Sequence, residues 1–368
     1  MNSNHTDDLA ELHAEVAAVA RELLADSAPR WATIAQAGWP GLEVSAAFDG
    51  AGAGFAEVAV VLTEIGRAAA SGPYPAVAAL AVGALDHAVP TPDRDRLLRE
   101  TAVGSVVPIV ALAAEGMEEK LFRIEDSPRG PLLRGAADFV LDAPGAGRLL
   151  VPAVDPAGEV VLVDLDPRAS GLLVTERPVL DATRRLGDIV AEDVSVSPES
   201  LWHFEDGYRC DALGRLRDRA AVAVACDSLG LSRAMLDATV AHVAVREQFG
   251  RAIGSFQAVK HACADMLVQV TVAVKLVDAA VRAQTVCASG ADAATSASMA
   301  KSYACATAVD IAGKAMQLHG GMGYTWESGI HVYLKRAALN RSLFGSPAQH
   351  RARLARRYSV QTPHRWGA

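Results

Sequence analysis

Val245-Arg246-Glu247-Gln248-Phe249-Gly250-Arg251-Ala252-Ile253-Gly254-Ser255-Phe256-Gln257 joins two long apolar stripes, and its reading decides the fold. Downstream, Val259, Ala262, Met266, Val270, Val274, Val277 and Val281 recur at helical spacing over more than six turns. That length suits a helical bundle. Upstream, residues 213–245 read as another long helix, and Gly250 and Gly254 interrupt the pattern between the two. Arg246 then ends the first helix, where its guanidinium offers a fixed fork of donors that matches a pyrophosphate. Phe249 and Ile253 offer apolar cover, and Gln257 a neutral donor and acceptor. The same residues also read as a surface arginine beside a helix-turn-helix bend, because loop residues need not bind anything.

A second segment, Gln317-Leu318-His319-Gly320-Gly321-Met322-Gly323-Tyr324, closes a helix expected over 293–318. Gly320 and Gly321 let backbone approach a ligand closely, or adopt positive φ. A helix C-cap followed by a turn explains them equally well, and the two readings are compatible. One more helix is expected over 331–344.

Toward the N-terminus the pattern changes. Runs such as 148–154, 159–164, 172–175 and 189–196 are rich in Val and Leu and separated by Pro, Gly and Asp. This is the spacing of a small β-barrel or sandwich. Before it, Asp7 and Asp8 are candidate caps for a helix with the stripe Leu9, Leu12, Val16, Val19 and Leu23. The Gly-rich run Asp49-Gly50-Ala51-Gly52-Ala53-Gly54 precedes a second stripe, Phe55, Val58, Leu62, Ile65 and Ala69, which Ser71-Gly72-Pro73 ends. The chain therefore reads as α+β in three parts: N-terminal helices over 1–105, a middle β domain over 106–205 and a C-terminal four-helix bundle over 206–368.

The 368 residues are 51% hydrophobic and 21% charged, enough to bury a large core and too few charges for disorder. A net charge of -8 without a long basic run argues against nucleic-acid binding. Arg351, Arg353, Arg356 and Arg357 read as a solvated helix end. No apolar run reaches membrane-spanning length, and the polar, acidic N-terminus is unlike a signal peptide. A cytoplasmic protein is expected. Cys210, Cys226, Cys263, Cys287 and Cys305 form no CxxC pair and read as small buried residues in a reducing compartment, so no metal site is expected.

The two segments, about sixty residues apart, resemble signatures of the acyl-CoA dehydrogenase family. Weaker matches support them: Ala37-Gly38-Trp39-Pro40-Gly41-Leu42, Glu64-Ile65-Gly66-Arg67, and Leu180-Asp181-Ala182-Thr183-Arg184-Arg185-Leu186. The resemblance spans nearly the whole chain. It implies FAD, an oligomer with cofactors at subunit interfaces, and contact between a neighbouring subunit's cofactor and Arg246, Phe249, Ile253, Gln257, Gln317, Leu318, Gly320 and Gly321. Gln349 matches a family Gln that touches the cofactor.

Family members remove a proton α to a thioester with a carboxylate and pass hydride from the β carbon to the flavin. The usual base stands in a Tyr-Glu-Gly-Thr segment. Here that stretch is Phe344-Gly345-Ser346-Pro347, with Gly345 at the base position. Other members carry the base on the earlier helix, where Ala220 stands; Asp218 and Asp227 fall on other faces. Asp218, between Arg217 and Arg219, reads as a solvated ion-paired carboxylate. The flavin-ring motifs are also replaced, by Leu112-Ala113-Ala114-Glu115-Gly116-Met117 and Asp138-Phe139-Val140-Leu141-Asp142. No catalytic residue is therefore assigned. The pattern resembles the base-lacking subunit of bacterial heterotetrameric acyl-CoA dehydrogenases of the steroid side-chain type. That implies a homologous partner carrying the catalytic Glu, an acyl-CoA substrate and an acceptor such as electron-transfer flavoprotein. Alternatives are a self-sufficient homotetramer with a displaced base (Glu115, Glu205 or Asp218), a flavin-free binding or assembly homologue, and a flavin monooxygenase of the same fold.

Overall fold

The computed structural model describes residues 3–117, 121–128, 130–208, 211–285 and 290–360. The N-terminal helices are α1 (Ser3–Leu23), α2 (Trp31–Gln36), α3 (Phe55–Arg67), α4 (Tyr74–Ala76), α5 (Val82–Asp86) and α6 (Pro92–Ala102). A π turn, Val77–Ala81, links α4 to α5. The stripe on α3 is buried as expected, and the Gly54 N–H donates to the Glu57 carboxylate at 2.8 Å to cap its start. The α1 stripe is buried only in part, with Val16 and Leu23 half-buried against the core. Leu9, Leu12 and Val19 are exposed, while Ala17, Ala20 and Leu24 face the core. Asp7 and Asp8 fall within α1, a full turn past its start, and so not at the cap position expected of them.

The strands are β1 (Pro108–Val110), β2 (Phe122–Glu125), β3 (Leu132–Leu141), β4 (Arg148–Val154), β5 (Val160–Leu165), β6 (Leu172–Arg177), β7 (Leu186–Ser195) and β8 (Leu201–His203). They form one mixed sheet in the order β6-β7-β3-β2-β4-β5-β8, with β1 also on β4. The β1–β4 and β2–β4 pairs are parallel. Both β4 and β5 are almost continuously buried, the signature of strands covered on both faces.

The C-terminal part holds α7 (Ala212–Val245), a short hairpin of β9 (Glu247–Gln248) and β10 (Arg251–Ala252), then α8 (Gln257–Thr285), α9 (Gly290–His319), α10 (Ile330–Ser342) and α11 (Pro347–Val360). The middle of α7, residues 218–232, is buried all round, as a helix surrounded by other elements must be. It crosses α3 with backbones in contact. A Cβ on Gly66 would lie 2.0 Å from the Asp227 carbonyl oxygen, and one on Gly230 1.9 Å from that of Thr63. Only glycine permits that approach.

Asp227 on α7 organises the junction of the three parts. Its carboxylate accepts from Arg336 of α10, from Arg184 at 2.8 Å and from Asn340 at 2.7 Å. Arg336 also donates to the Ala70 carbonyl at 2.7 Å and to Thr183 at 3.1 Å. All these charged groups are buried. The weak Leu180–Leu186 resemblance thus marks a joint between domains.

Two charge assignments change. Asp218 is buried, and its bidentate partner is Arg353 of α11; Arg219 pairs with Glu43 instead. Arg357 donates to Asp292 and to Thr295. The basic run 351–357 is therefore not simply solvated: two of its arginines tie α11 to α7 and α9. Cys226 and Cys305 are buried and Cys263 half-buried, while Cys210 and Cys287 lie outside the described residues.

Candidate functional site

The end of the helix that leads into the first segment meets the second segment. His242, one turn before Arg246, stacks on His319 at the end of α9, with ring centroids 4.3 Å apart and planes 21° from parallel. Burial, then the neighbouring His319 and Arg246, lowers the His242 pKa. Arg246 caps α7 and is exposed, and among the described residues its guanidinium has no hydrogen bond or ion pair. The expected bend is the β9–β10 hairpin, with Phe249 at its tip, φ +55° and 91% exposed. Phe249 and Gly250, with φ +55° and +77°, are the two central residues of a tight hairpin that needs both in the left-handed region, so the turn sets the backbone and leaves the Phe249 ring in solvent. Phe256 packs edge-on against Phe249 at 6.1 Å, and the Arg251 guanidinium lies 4.0 Å over the Phe256 ring.

The rest of the predicted set shares the outward aspect. Gln257 is exposed and hydrogen-bonded to His261 at 2.8 Å; Ile253 is half-buried beneath the hairpin. Gln317, Gly320 and Gly321 are exposed and Leu318 is half-buried. Gly320 has φ +60°, and nothing lies within 4 Å of a Cβ at either glycine. This is an open cradle. Gln349 stands elsewhere, at the start of α11. Its side-chain oxygen accepts from the Ser346 N–H at 2.8 Å, and the Ser346 hydroxyl accepts from the Gln349 N–H at 3.3 Å. The pair forms a reciprocal helix cap.

The interior tells a different story. Ala220 of α7 and Leu343 and Phe344 after α10 line an inner cavity together with Pro75, Ala79, Leu80, Leu141, Asp142, Arg184, Asp227 and others. Its volume is about 20 Å³, room for about one water molecule. Asp142 is the acidic group there that sequence reading missed. It is buried, with φ +54°. Burial pushes its carboxyl up to about 6, partly offset by Arg184. Asp227 stands on the same wall as Ala220, two turns along α7, and not on another face as expected; burial pushes its carboxyl up, but Arg336 and Arg184 outweigh that and hold it down. None of the displaced-base candidates faces the cavity. Glu115 and Glu205 are exposed, and Asp218 is engaged by Arg353.

Comparison with known proteins agrees with this architecture. Residues 7–105 match the acyl-CoA dehydrogenase N-terminal domain and 214–359 the acyl-CoA dehydrogenase C-terminal domain. The chain belongs to the acyl-CoA dehydrogenase family. It is 30% identical to the acyl-CoA dehydrogenase IpdE2 of Mycolicibacterium smegmatis, over 87% of this chain and 84% of that one. Among solved structures, a glycine-to-alanine variant of the steroid acyl-CoA dehydrogenase Tcur3481-Tcur3483 superposes with a TM-score of 0.82 at 26% identity, covering 96% of this chain and 99% of that one. The ChsE4-ChsE5 complex of Mycobacterium tuberculosis gives 0.85 at 22% identity, covering 96% and 98%.

This acyl-CoA dehydrogenase chain is thus one of a family of FAD-dependent oxidoreductases acting on CH–CH donors. The Arg246 fork and the open glycine cradle suit a pyrophosphate and its nucleoside. Among the described residues, no helix is long and apolar enough to cross a membrane.

Proposed function

We propose that this chain is the non-catalytic subunit of a cytoplasmic α₂β₂ acyl-CoA dehydrogenase, completing the FAD site of a homologous partner that carries the catalytic Glu. The carrying observation is the contrast within one chain. Donors and glycines of the nucleotide type face outward, while the inner cavity is bordered by Ala220 and closed to about one water. In this reading Arg246, Phe249, Ile253, Gln257, Gln317, Leu318, Gly320 and Gly321 hold the ADP half of the partner's FAD, and Gln349 adds a contact at the start of α11. The partner supplies the flavin-ring pocket and removes the α proton. Electrons leave to an acceptor such as electron-transfer flavoprotein. The substrate is an acyl-CoA thioester, and the likeness to a steroid acyl-CoA dehydrogenase supports a CoA ester of a steroid side chain.

Burying Phe249 against a partner would stabilise the assembly by roughly 1.5–3 kcal/mol. A charge-assisted bond from Arg246 contributes roughly 1.5–3 kcal/mol, or about tenfold to a hundredfold in affinity. The purified complex carrying Arg246→Ala should therefore release FAD at least about tenfold more readily, measured by flavin fluorescence on dilution. Unchanged retention would remove Arg246 from the cofactor site.

A further inference from the structure

The stacked rings of His242 and His319 join the Arg246 end of α7 to the glycines that follow α9. Both rings are half-buried. A carbonyl only accepts, so the 2.7 Å contact to Ala315 is a bond that His319 Nδ1–H donates. That bond fixes the tautomer and leaves Nε2 of the neutral ring with a lone pair. Among the described residues, no hydrogen bond or ion pair engages that Nε2, either nitrogen of His242, or the Arg246 guanidinium.

Charge decides what such a group can bind. Each histidine stands in the last turn of its helix, where unpaired carbonyls make the end negative and repel a phosphate. Besides burial, the groups that bear on His242 are His319 from α9 and Arg246 from its own helix, and both oppose its protonation. No carboxylate of these helices, of α8 or of the hairpin is among them. Two imidazoles 4.3 Å apart hinder each other's protonation, and an anion beside them removes that hindrance. A phosphate diester offers only acceptor oxygens. Facing it, neutral His319 presents a lone pair; with a proton on Nε2 it presents a donor and a charge.

We propose that the stacked pair is a second cationic element of the nucleotide cradle: with Arg246 it binds the pyrophosphate, and binding carries a proton onto the pair. This rests on the reading that a nucleotide's pyrophosphate lies against Arg246, and adds that the site fills more readily in mild acid. The sign follows from linkage. Binding that favours the protonated ring is tightest below the range where the free ring titrates, and weakens as pH rises through that of the bound ring. An unperturbed histidine titrates at about pH 6.5, so affinity falls between about pH 6 and about pH 8.

The probe is ADP-ribose, whose pyrophosphate is esterified at both ends and does not titrate in this range. Calorimetry on the full chain, in two buffers of different protonation enthalpy, reads affinity and proton uptake together. The wild type should bind at least about tenfold more tightly at about pH 6 than at about pH 8, with net proton uptake at about pH 7. His242→Phe keeps an aromatic ring in the stack and loses a proton site. His319→Asn keeps an amide donor for the Ala315 carbonyl and loses Nε2. At least one of the two should cut the ratio to less than about threefold, which names the ring that carries the proton. Proton uptake is read on the wild type, so a variant that fails to fold does not leave the question open. Equal affinity at the two pH values, binding without proton uptake, an unchanged ratio in both variants, or no binding would each overturn the proposal. The subunit assignment is judged separately, by FAD retention in the Arg246→Ala complex, so a pH-independent site sinks the coupling and leaves that assignment standing.

Discussion

Asp227→Ala lowers the stability of the folded chain by about 3–5 kcal/mol, the effect of breaking a buried ion pair from one side. Arg336 and Arg184 both point at this carboxylate, and both are buried. Removing it leaves two guanidiniums facing one another without a counter-charge in a medium that solvates them poorly. Asn340 also loses the acceptor of its 2.7 Å bond. Because the cluster ties the Ala70 carbonyl, Thr183, α7 and α10 together, the loss loosens all three parts of the chain at once. The apparent melting midpoint should drop by roughly 4–6 °C, checked by calorimetry or circular dichroism. A drop of less than about 2 °C would mean that the cluster does not join the domains.

Asp142→Asn has the opposite sign. The carboxyl's pKa rises from 3.8 to about 6 on folding. Folding therefore favours its protonated form, and the ionised form carries a penalty. Above pH 6 that penalty is fully present, and at ~1.4 kcal/mol per pH unit it amounts to about 3 kcal/mol. It shrinks as pH falls from 6 toward 3.8 and is absent below. Asn copies the neutral acid in shape and charge. The variant should therefore be more stable than the wild type by about 3 kcal/mol at about pH 7.5, with the gain fading to near zero by about pH 4. Paired denaturant titrations at the two pH values check this. A loss of stability at the higher pH would show that Asp142 is held ionised by the neighbouring arginines.

These two residues also show what the sequence withheld. The long helices α7, α8 and α9 were legible because a stripe repeated over many turns has few other solutions. The α1 stripe misled because alanines at 17 and 20 make the buried contact while larger residues, Leu9, Leu12 and Val19, stay in solvent. Periodicity fixes the helix but not which face wins when the packing partner approaches closely. The β9–β10 hairpin was invisible because two-residue strands show no alternation. The two motifs could be quoted from the sequence, and the stacked His242–His319 pair shows how the ends of α7 and α9 come together, which spacing alone does not give. The interior was not. Whether Asp142 is buried and whether Arg353 meets Asp218 depend on contacts between elements far apart in the chain.

The central claim is that this chain lends donors to a cofactor whose flavin ring another chain holds. Its most direct test is the flavin-to-protein ratio of the chain purified alone and co-purified with a homologous acyl-CoA dehydrogenase partner bearing a glutamate base. The account predicts no retained flavin for the chain alone and one FAD per pair of chains in the complex, with acyl-CoA oxidation found only there. One FAD per chain and turnover by the isolated protein would contradict it.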